Sequence, residues 1–422
     1  MLNEAPLSQF QPLGGGLVRP IYADYSFGNI TNTIEFLLTG EARRPLLPAD
    51  CFGGDYPRPE KVVVFFVDSF AWQFWSQYRR RYRTLSRVSE EGTLTPLSAL
   101  FPSTTAASVS TMNLGVLPAQ HALYEWNIYI PAYGEVIQSL AFTPLGRHPP
   151  DACLGLGYDP GKLLEVHETV HQRLKRRGVR SIQFAHRSYA TSAYNRVASA
   201  GAEIVRHTTL AEALVQLKEC LLGTPGKALL SFYWAAIDSI AHTHGPGSSY
   251  HAAEIASFWH TVDAIFDGLP ASDTLYLFTA DHGQVRADAR DTLYLNEAFP
   301  AVADCLPRSP TGKPIYPNGS PRDVFLHVRP ERRADVLGLL QRELGTEALV
   351  LPIEEAAAKG LFGSGTISEE LRRRLGDILV LPYLGRFIWW REPGRLENQF
   401  HGHHGGLTPE EMTTLIGVID HL

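Results

Sequence analysis

The chain has 422 residues, 44% of them hydrophobic and 19% charged, a composition that excludes disorder, collagen-like repeats and a long coiled coil. Lys and Arg total 38 against 44 Asp and Glu, a formal charge of -6 without the basic excess that duplex nucleic acid or an anionic membrane surface requires, so neither is expected as a partner. At about 150 residues per domain the length allows three domains, or one large α/β unit with a smaller attachment.

The opening residues MLNEAPLSQFQPLGGG lack the basic start, apolar stretch and cleavage-like end of a signal peptide. No later apolar run approaches the ~18 residues of a membrane span. Cys51, Cys153, Cys220 and Cys305 are scattered without a close pair, which argues against a disulfide framework and against a thiolate zinc site. A soluble, cytoplasmic protein with reduced thiols is expected.

The first strong element is KVVVFFV, residues 61–67, an unbroken β-branched and aromatic run of the kind buried on both faces, ending at Asp68. Similar runs follow at 181–185, 228–236, 274–280 and 378–381, separated by helix-like stretches at 161–177, 210–222 and 250–269. This alternation predicts an α/β fold with a mainly parallel central sheet and helices on both faces. Two aromatic-rich runs around Ala132, Tyr133 and Gly134 predict a hairpin beside that sheet. Residues 296–321 hold six prolines and read as an irregular loop, after which 323–328, 331–344 and 348–351 read strand, helix, strand. The expected organisation is a catalytic core at 1–295 and 362–422, with a small inserted α+β subdomain at 296–361 on the substrate side, beside the site.

In open α/β sheets ligands bind beyond the carboxyl ends of the strands. There the sequence places Asp68, Asp238 with His242, Asp281 with His282, and the late cluster His401, His403 and His404. Each has an ordinary reading: a strand-end Asp caps turns, an i, i+4 Asp/His pair decorates a surface helix, and adjacent histidines occur in solvated loops. Together, oxygen and imidazole ligands without sulfur suit Zn²⁺ or Mn²⁺. Ser103, Thr104 and Thr105 open a helix-like stretch, the ordinary signature of a cap. The same geometry also exposes a hydroxyl to unsatisfied backbone N–H groups and a positive dipole end, which favour an alkoxide and a bound phosphate.

These residues resemble the alkaline phosphatase superfamily, and most the type I phosphodiesterase / nucleotide pyrophosphatase branch. Phe101, Pro102, Thr105, Gly115, Pro118 and His121 match its nucleophile frame; Asp238, His242, Gly245 and Pro246 match D-x-x-x-H-x-x-G-P; Ala280, Asp281, His282 and Gly283 match A-D-H-G. The resemblance implies Thr105 as nucleophile, one metal held by Asp238, His242 and His404, with His403 as the fallback, and a second by Asp68, Thr105, Asp281 and His282. It implies two divalent ions, zinc first and manganese second, acting on a small phosphate ester. Joint ligation by the neighbours Asp281 and His282 requires the chain to leave strand geometry there, since adjacent strand residues face opposite ways.

Ala106 stands where nucleotide-handling relatives place an aromatic, while Tyr233 matches a second aromatic of that slot. Trp126 stands where they place an Asn, leaving Asn127, one residue on, as the candidate substrate contact with Tyr233. The expected activity is hydrolysis of phosphodiester or pyrophosphate bonds through a phosphorylated threonine. Phosphomonoesterase, phosphonate hydrolase and phosphomutase activities share the same metal frame, and a non-catalytic metal-stabilised binding protein is the alternative of another class. A sulfatase is disfavoured because residues 105–109 lack the required Pro and Arg.

Overall fold

The computed structural model describes residues 1–166, 168–269, 273–286, 288–310, 312–363 and 365–422. Its centre is a seven-stranded sheet in the order Thr93–Ser98, Thr413–Ile419, Thr274–Thr279, Lys61–Val67, Ala228–Trp234, Arg180–His186, Glu203–His207. The last five in that order run parallel, and Thr413–Ile419 is antiparallel to both of its neighbours. The mainly parallel sheet expected from the alternating runs is therefore present.

The KVVVFFV run explains itself in the packing. Val63, Phe65 and Val67 enter one apolar cluster with Trp75, Trp259 and Phe278, while Val62, Val64 and Phe66 enter another with Ile30, Ile34 and Leu37. The period-two alternation of a strand thus feeds both faces, and each face is covered by helices. The helices Leu210–Gly223 and Ser249–Phe266 cover the first face, and Ile30–Thr39 and Val170–Arg176 the second. Phe65 stacks on Phe278 at a centroid distance of 4.8 Å. Each fully buried side chain of this size contributes about 1.5–3 kcal/mol.

A second seven-stranded sheet, antiparallel throughout, runs Ala348–Pro352, Ile378–Pro382, Asp323–Leu326, Asn318–Ser320, Asn127–Ile130, Glu135–Gln138, Thr143–Pro144. The run at 378–381 belongs here and not to the central sheet, which corrects its expected place. A continuous apolar run reports burial on both faces and carries no information about which sheet supplies it. The expected hairpin exists, with Asn127 opposite Gln138, but it pairs into this second sheet through Asn127 and Gly319. Residues 296–361 supply three of the seven strands, and Thr311 within that segment lies outside the described residues. Three central strands, Thr93–Ser98, Glu203–His207 and Thr413–Ile419, were not marked in the sequence. One of them, Thr93–Ser98, contains Pro96, which it tolerates as an edge strand.

The four cysteines are unpaired. Among the described residues no helix is long and apolar enough to cross a membrane.

The two sheets are joined at the site by one buried ion pair. Arg322 Nε and a terminal guanidinium nitrogen reach the two Glu411 carboxylate oxygens at 3.0 and 2.9 Å, with both side chains fully buried. Glu411 also accepts from the Gly406 N–H at 3.0 Å and the Thr408 hydroxyl at 2.8 Å. Removing one partner leaves the other charge buried without compensation, so Glu411→Ala is expected to cost about 3–5 kcal/mol of stability. Urea unfolding measures this, and a loss below about 1 kcal/mol would contradict the role assigned to the pair.

Candidate metal-assisted active site

Because the parallel strands share one direction, the residues that follow them gather at one edge. Asp68 follows Val67, Asp281 stands two residues after Thr279, and the helix Ala236–His244 carries Asp238 and His242 directly behind Ala228–Trp234. The strand that precedes Asp281 ends at Thr279, so Asp281 and His282 lie beyond regular strand geometry and both turn inward, with no exposed side-chain surface. The late histidines arrive from the opposite direction through a two-residue strand, Gly402–His403, paired with Val285–Arg286.

The helix Thr105–Leu114 separates the two threonines by function. Thr104 is the N-cap: its hydroxyl donates to the Tyr124 carbonyl at 2.8 Å and accepts from the Ala107 N–H at 3.3 Å. Thr105 is the first helical residue, and its Oγ1 lies 3.4 Å from Asp68 Oδ2 and 3.3 Å from His282 Nε2. Ser103 clamps this turn to the histidine loop, donating to the Gly406 carbonyl at 2.8 Å and accepting from the Gly405 N–H at 3.1 Å.

Three imidazoles are oriented by main-chain carbonyls. His242 Nδ1 faces Gly402 O at 2.7 Å, His282 Nδ1 faces Gly283 O at 3.1 Å, and His404 Nδ1 faces Ser103 O at 2.8 Å. A carbonyl only accepts, so each Nδ1 carries the hydrogen and each neutral ring turns an Nε2 lone pair toward the site. Those lone pairs meet other acceptors. His404 Nε2 is 3.1 Å from His242 Nε2, and His282 Nε2 is 3.2 Å from Asp281 Oδ2 and 3.7 Å from Asp68 Oδ1. Asp68 Oδ1 and Asp281 Oδ2 are buried and accept no hydrogen bond. A pocket of buried acceptors facing one another fits cations.

Two candidate ligand groups result, Asp238 with His242 and His404, and Asp68 with Asp238 and His282. Asp238 is common to both. His403 is in neither.

Burial and the neighbouring carboxylates of Asp281 and Asp238 push the Asp68 carboxyl well above its ordinary range. Asp238 goes the other way: burial opposes its charge, but His242 and His404 more than offset it. Burial also opposes the charge on His242 and His282, yet Asp238 and Asp281 respectively raise them above 6.5, whereas burial and His282 hold His404 well below it. The Tyr233 hydroxyl, raised well above 10 by burial and by Asp68, stays protonated and donates to Asp68 Oδ2.

A cavity of about 850 Å³ opens over these residues, lined among others by Thr105, Asn127, Tyr233, Asp238, His242 and His404. Both residues named as substrate contacts border it, although Asn127 already donates one amide hydrogen to the Gly319 carbonyl at 3.0 Å. Among the described residues of the proline-rich segment only its end, Ser320 and Pro321, lines the cavity; Val302, Cys305, Leu306 and Ile315 pack into a separate apolar cluster. The outer rim comes instead from Trp389 and Arg395 to Asn398, which no motif marks.

Sequence reasoning also missed Glu125 and Asp323, a buried carboxyl pair beside the site. Burial raises Glu125 to about 7 against the opposing N–H groups of Trp126 and Asn127, and burial with Glu125 raises Asp323 well above its ordinary range. It missed Gln284 as well, which donates to the Asp238 carbonyl at 3.3 Å and to its carboxylate. Gln284 directly follows the Asp281-His282-Gly283 motif, and that adjacency was the available signal.

A sheet edge bearing two candidate metal-ligand groups, with a hydroxyl at a helix start beside them, suits the hydrolysis of phosphoesters. Residues 62–407 match the type I phosphodiesterase / nucleotide pyrophosphatase family, and the chain belongs to it. Murine ectonucleotide pyrophosphatase / phosphodiesterase 5 has the same fold, with a TM-score of 0.64 at 13% identity, over 85% of this chain and 87% of that one. Its human counterpart gives 0.60 at 14% identity, with 85% and 87% covered. Phosphonoacetate hydrolase from Sinorhizobium meliloti gives 0.60 at 18% identity, with 87% and 92% covered. No curated protein sequence matches the chain significantly.

Gly283 lets the Asp281–His282 turn lie against the chain at Glu410, whose carbonyl oxygen a Cβ there would approach to 1.9 Å. Gly283→Ala is expected to displace both side chains and to lower the divalent-metal content measured by elemental analysis. Wild-type content would show that the turn does not set the site.

Proposed function

We propose that the protein is a metal-dependent hydrolase of phosphodiester or pyrophosphate bonds that works through a phosphorylated Thr105. The observation that carries this reading is the placement of Thr105 Oγ1 within 3.3–3.4 Å of His282 and Asp68, while neighbouring Thr104 is consumed as the cap. Two divalent ions, zinc first and manganese second, would be held by Asp238, His242 and His404 and by Asp68, Thr105, Asp281 and His282. Bound there, they supply the positive charge that stabilises an alkoxide and offsets charge on the phosphoryl oxygens.

The chain's own residues then divide the work. The helix start favours negative charge on Thr105 Oγ1. Thr105 attacks phosphorus, its O–P bond forms, and the ester or anhydride O–P bond opposite breaks. Water then attacks phosphorus, restores the Thr105 hydroxyl and releases the phosphate product. Asn127 and Tyr233 border the bound substrate, Tyr233 keeping the Asp68 carboxylate in place. The murine neighbour, inactive as a threonine-to-alanine variant and seen in complex with AMP, supports a threonine-dependent reaction on phosphate esters. A phosphonate hydrolase is the second reading, supported by the likeness to phosphonoacetate hydrolase. Against it, Arg395 is the sole Lys or Arg among the described cavity residues, leaving little to hold a substrate carboxylate.

Rates on 4-nitrophenyl phosphodiester, phosphomonoester and phosphonoacetate, each with and without chelator, test this reading. The diester is expected to be fastest, chelation to stop turnover and lower the unfolding temperature, and added zinc to restore both. Thr105→Ala is expected to reduce kcat by about three orders of magnitude or more while metal content stays at the wild-type level. A larger loss in Thr104→Ala than in Thr105→Ala would overturn the assignment of the nucleophile.

A further inference from the structure

The cavity does not end at the candidate metal ligands. It continues inward between the central sheet and its helical cover, with Val64, Phe66 and Leu229 as floor and Ile34, Val109 and Met112 as roof. Val64 and Phe66 lie on the same strand face as Asp68, and Leu229 on the same face as Tyr233, because alternate strand residues share a side. Ser231 stands in register with Val64 and Gln183 in the middle of the sheet. Ser231, Gln183 and Met112 nevertheless keep accessible surface, which a filled layer at those positions would not leave. Ala106, directly after Thr105, lines the entrance with the smallest side chain that has a Cβ.

The arm is uncharged. Its polar end is a self-satisfied neutral cluster: Asn113 Oδ1 accepts from Gln183 at 2.6 Å and from His171 Nε2 at 2.8 Å, and His171 Nδ1 meets the Ser181 hydroxyl at 2.6 Å. Burial holds His171 down at about 3, so the cluster carries no cation to meet a phosphate. Arg395, the guanidinium among the described cavity residues, is exposed and lies outside the arm. The arm also lies on the nucleophile's side, since Ala106, Val109 and Met112 belong to the helix that Thr105 opens. In-line displacement sends the leaving oxygen away from Thr105. A group inside the arm is therefore the one that stays on phosphorus.

We infer that the inner arm binds the retained ester group of a phosphodiester, and that this group is uncharged and mainly apolar, an alkyl or arylalkyl chain. This inference rests on the hydrolase reading above and narrows it. A monoester has no second organic group to place there, and a nucleoside retained on phosphorus would bring base and sugar polar groups into an apolar arm whose polar end is already paired.

Methyl, butyl and octyl 4-nitrophenyl phosphates test it, because nitrophenolate leaves and the alkyl group stays. The ratio kcat/KM is expected to rise by up to about fourfold per methylene until the arm is full. In a second readout without turnover, calorimetry on the Thr105→Ala protein is expected to show octylphosphonate binding more tightly than methylphosphonate. Met112→Trp should lower the octyl-to-methyl ratio at least about tenfold in both readouts. Leu229→Phe, from the opposite wall, should lower it too and serves if the first variant does not fold. Turnover of the esters with no chain-length dependence in either readout overturns the inference and leaves the hydrolase reading standing. Chain-length-dependent binding without turnover of any ester does the reverse. A nucleoside 5′-(4-nitrophenyl phosphate) preferred over the octyl ester in kcat/KM also overturns it.

Discussion

Acceptors of one kind repel, and this site collects them. The carboxylates of Asp68, Asp238 and Asp281 and the Nε2 lone pairs of His242, His282 and His404 face one another at a buried edge. Two like unit charges 4 Å apart at an effective dielectric of about 20 oppose each other by about 4 kcal/mol. Protons relieve this in part, which is why Asp68 is driven up while Asp238 is held down by its two histidines. Divalent cations would relieve all of it at once. Holding these acceptors so close together requires a rigid carboxyl edge of the central sheet.

Rigidity is supplied by the main chain. Gly402, Gly283 and Ser103 each give a carbonyl to one imidazole, so the ring orientations are fixed by backbone and survive changes in nearby side chains. Ser103 ties the nucleophile turn to the His404 loop, and Ser320 donates to the His404 carbonyl at 3.3 Å from the second sheet. Arg322 and Glu411 then lock that sheet to the segment entering Thr413–Ile419. The antiparallel sheet thus helps to hold His404, a candidate ligand that does not follow a parallel strand.

What the sequence discloses and what it conceals follow from this. KVVVFFV declares a doubly buried strand because both of its faces must be apolar, and Asp68, Asp238, Asp281 and His282 declare themselves because polar groups at the end of such strands need a reason to be there. Choosing His404 over His403 took the motif, because what separates them is where each side chain falls relative to Asp238 and His242, and only the fold decides that. Glu125 and Asp323 were concealed because each looks ordinary alone; only the fold places 125 and 323 together. The membership of Ile378–Pro382 was concealed for the same reason, as was the rim at Trp389 and Arg395, which depends on where a loop returns.

The layout also separates reactivity from selection. The candidate metal ligands and Thr105 gather beyond the strand ends, whereas the proposed inner arm lies beneath them, between strands and helices, in space that side-chain volume decides. Position 106 is the junction, one residue past Thr105 and one wall of the arm. Changing the volumes of residues 106, 109 and 112 alters the arm without touching Asp68, Asp238, Asp281 or the three histidines, since those side chains project from other elements. A fold built this way can change its ester while keeping its chemistry, because the helix that opens at the proposed nucleophile, Thr105, also carries the wall of the arm.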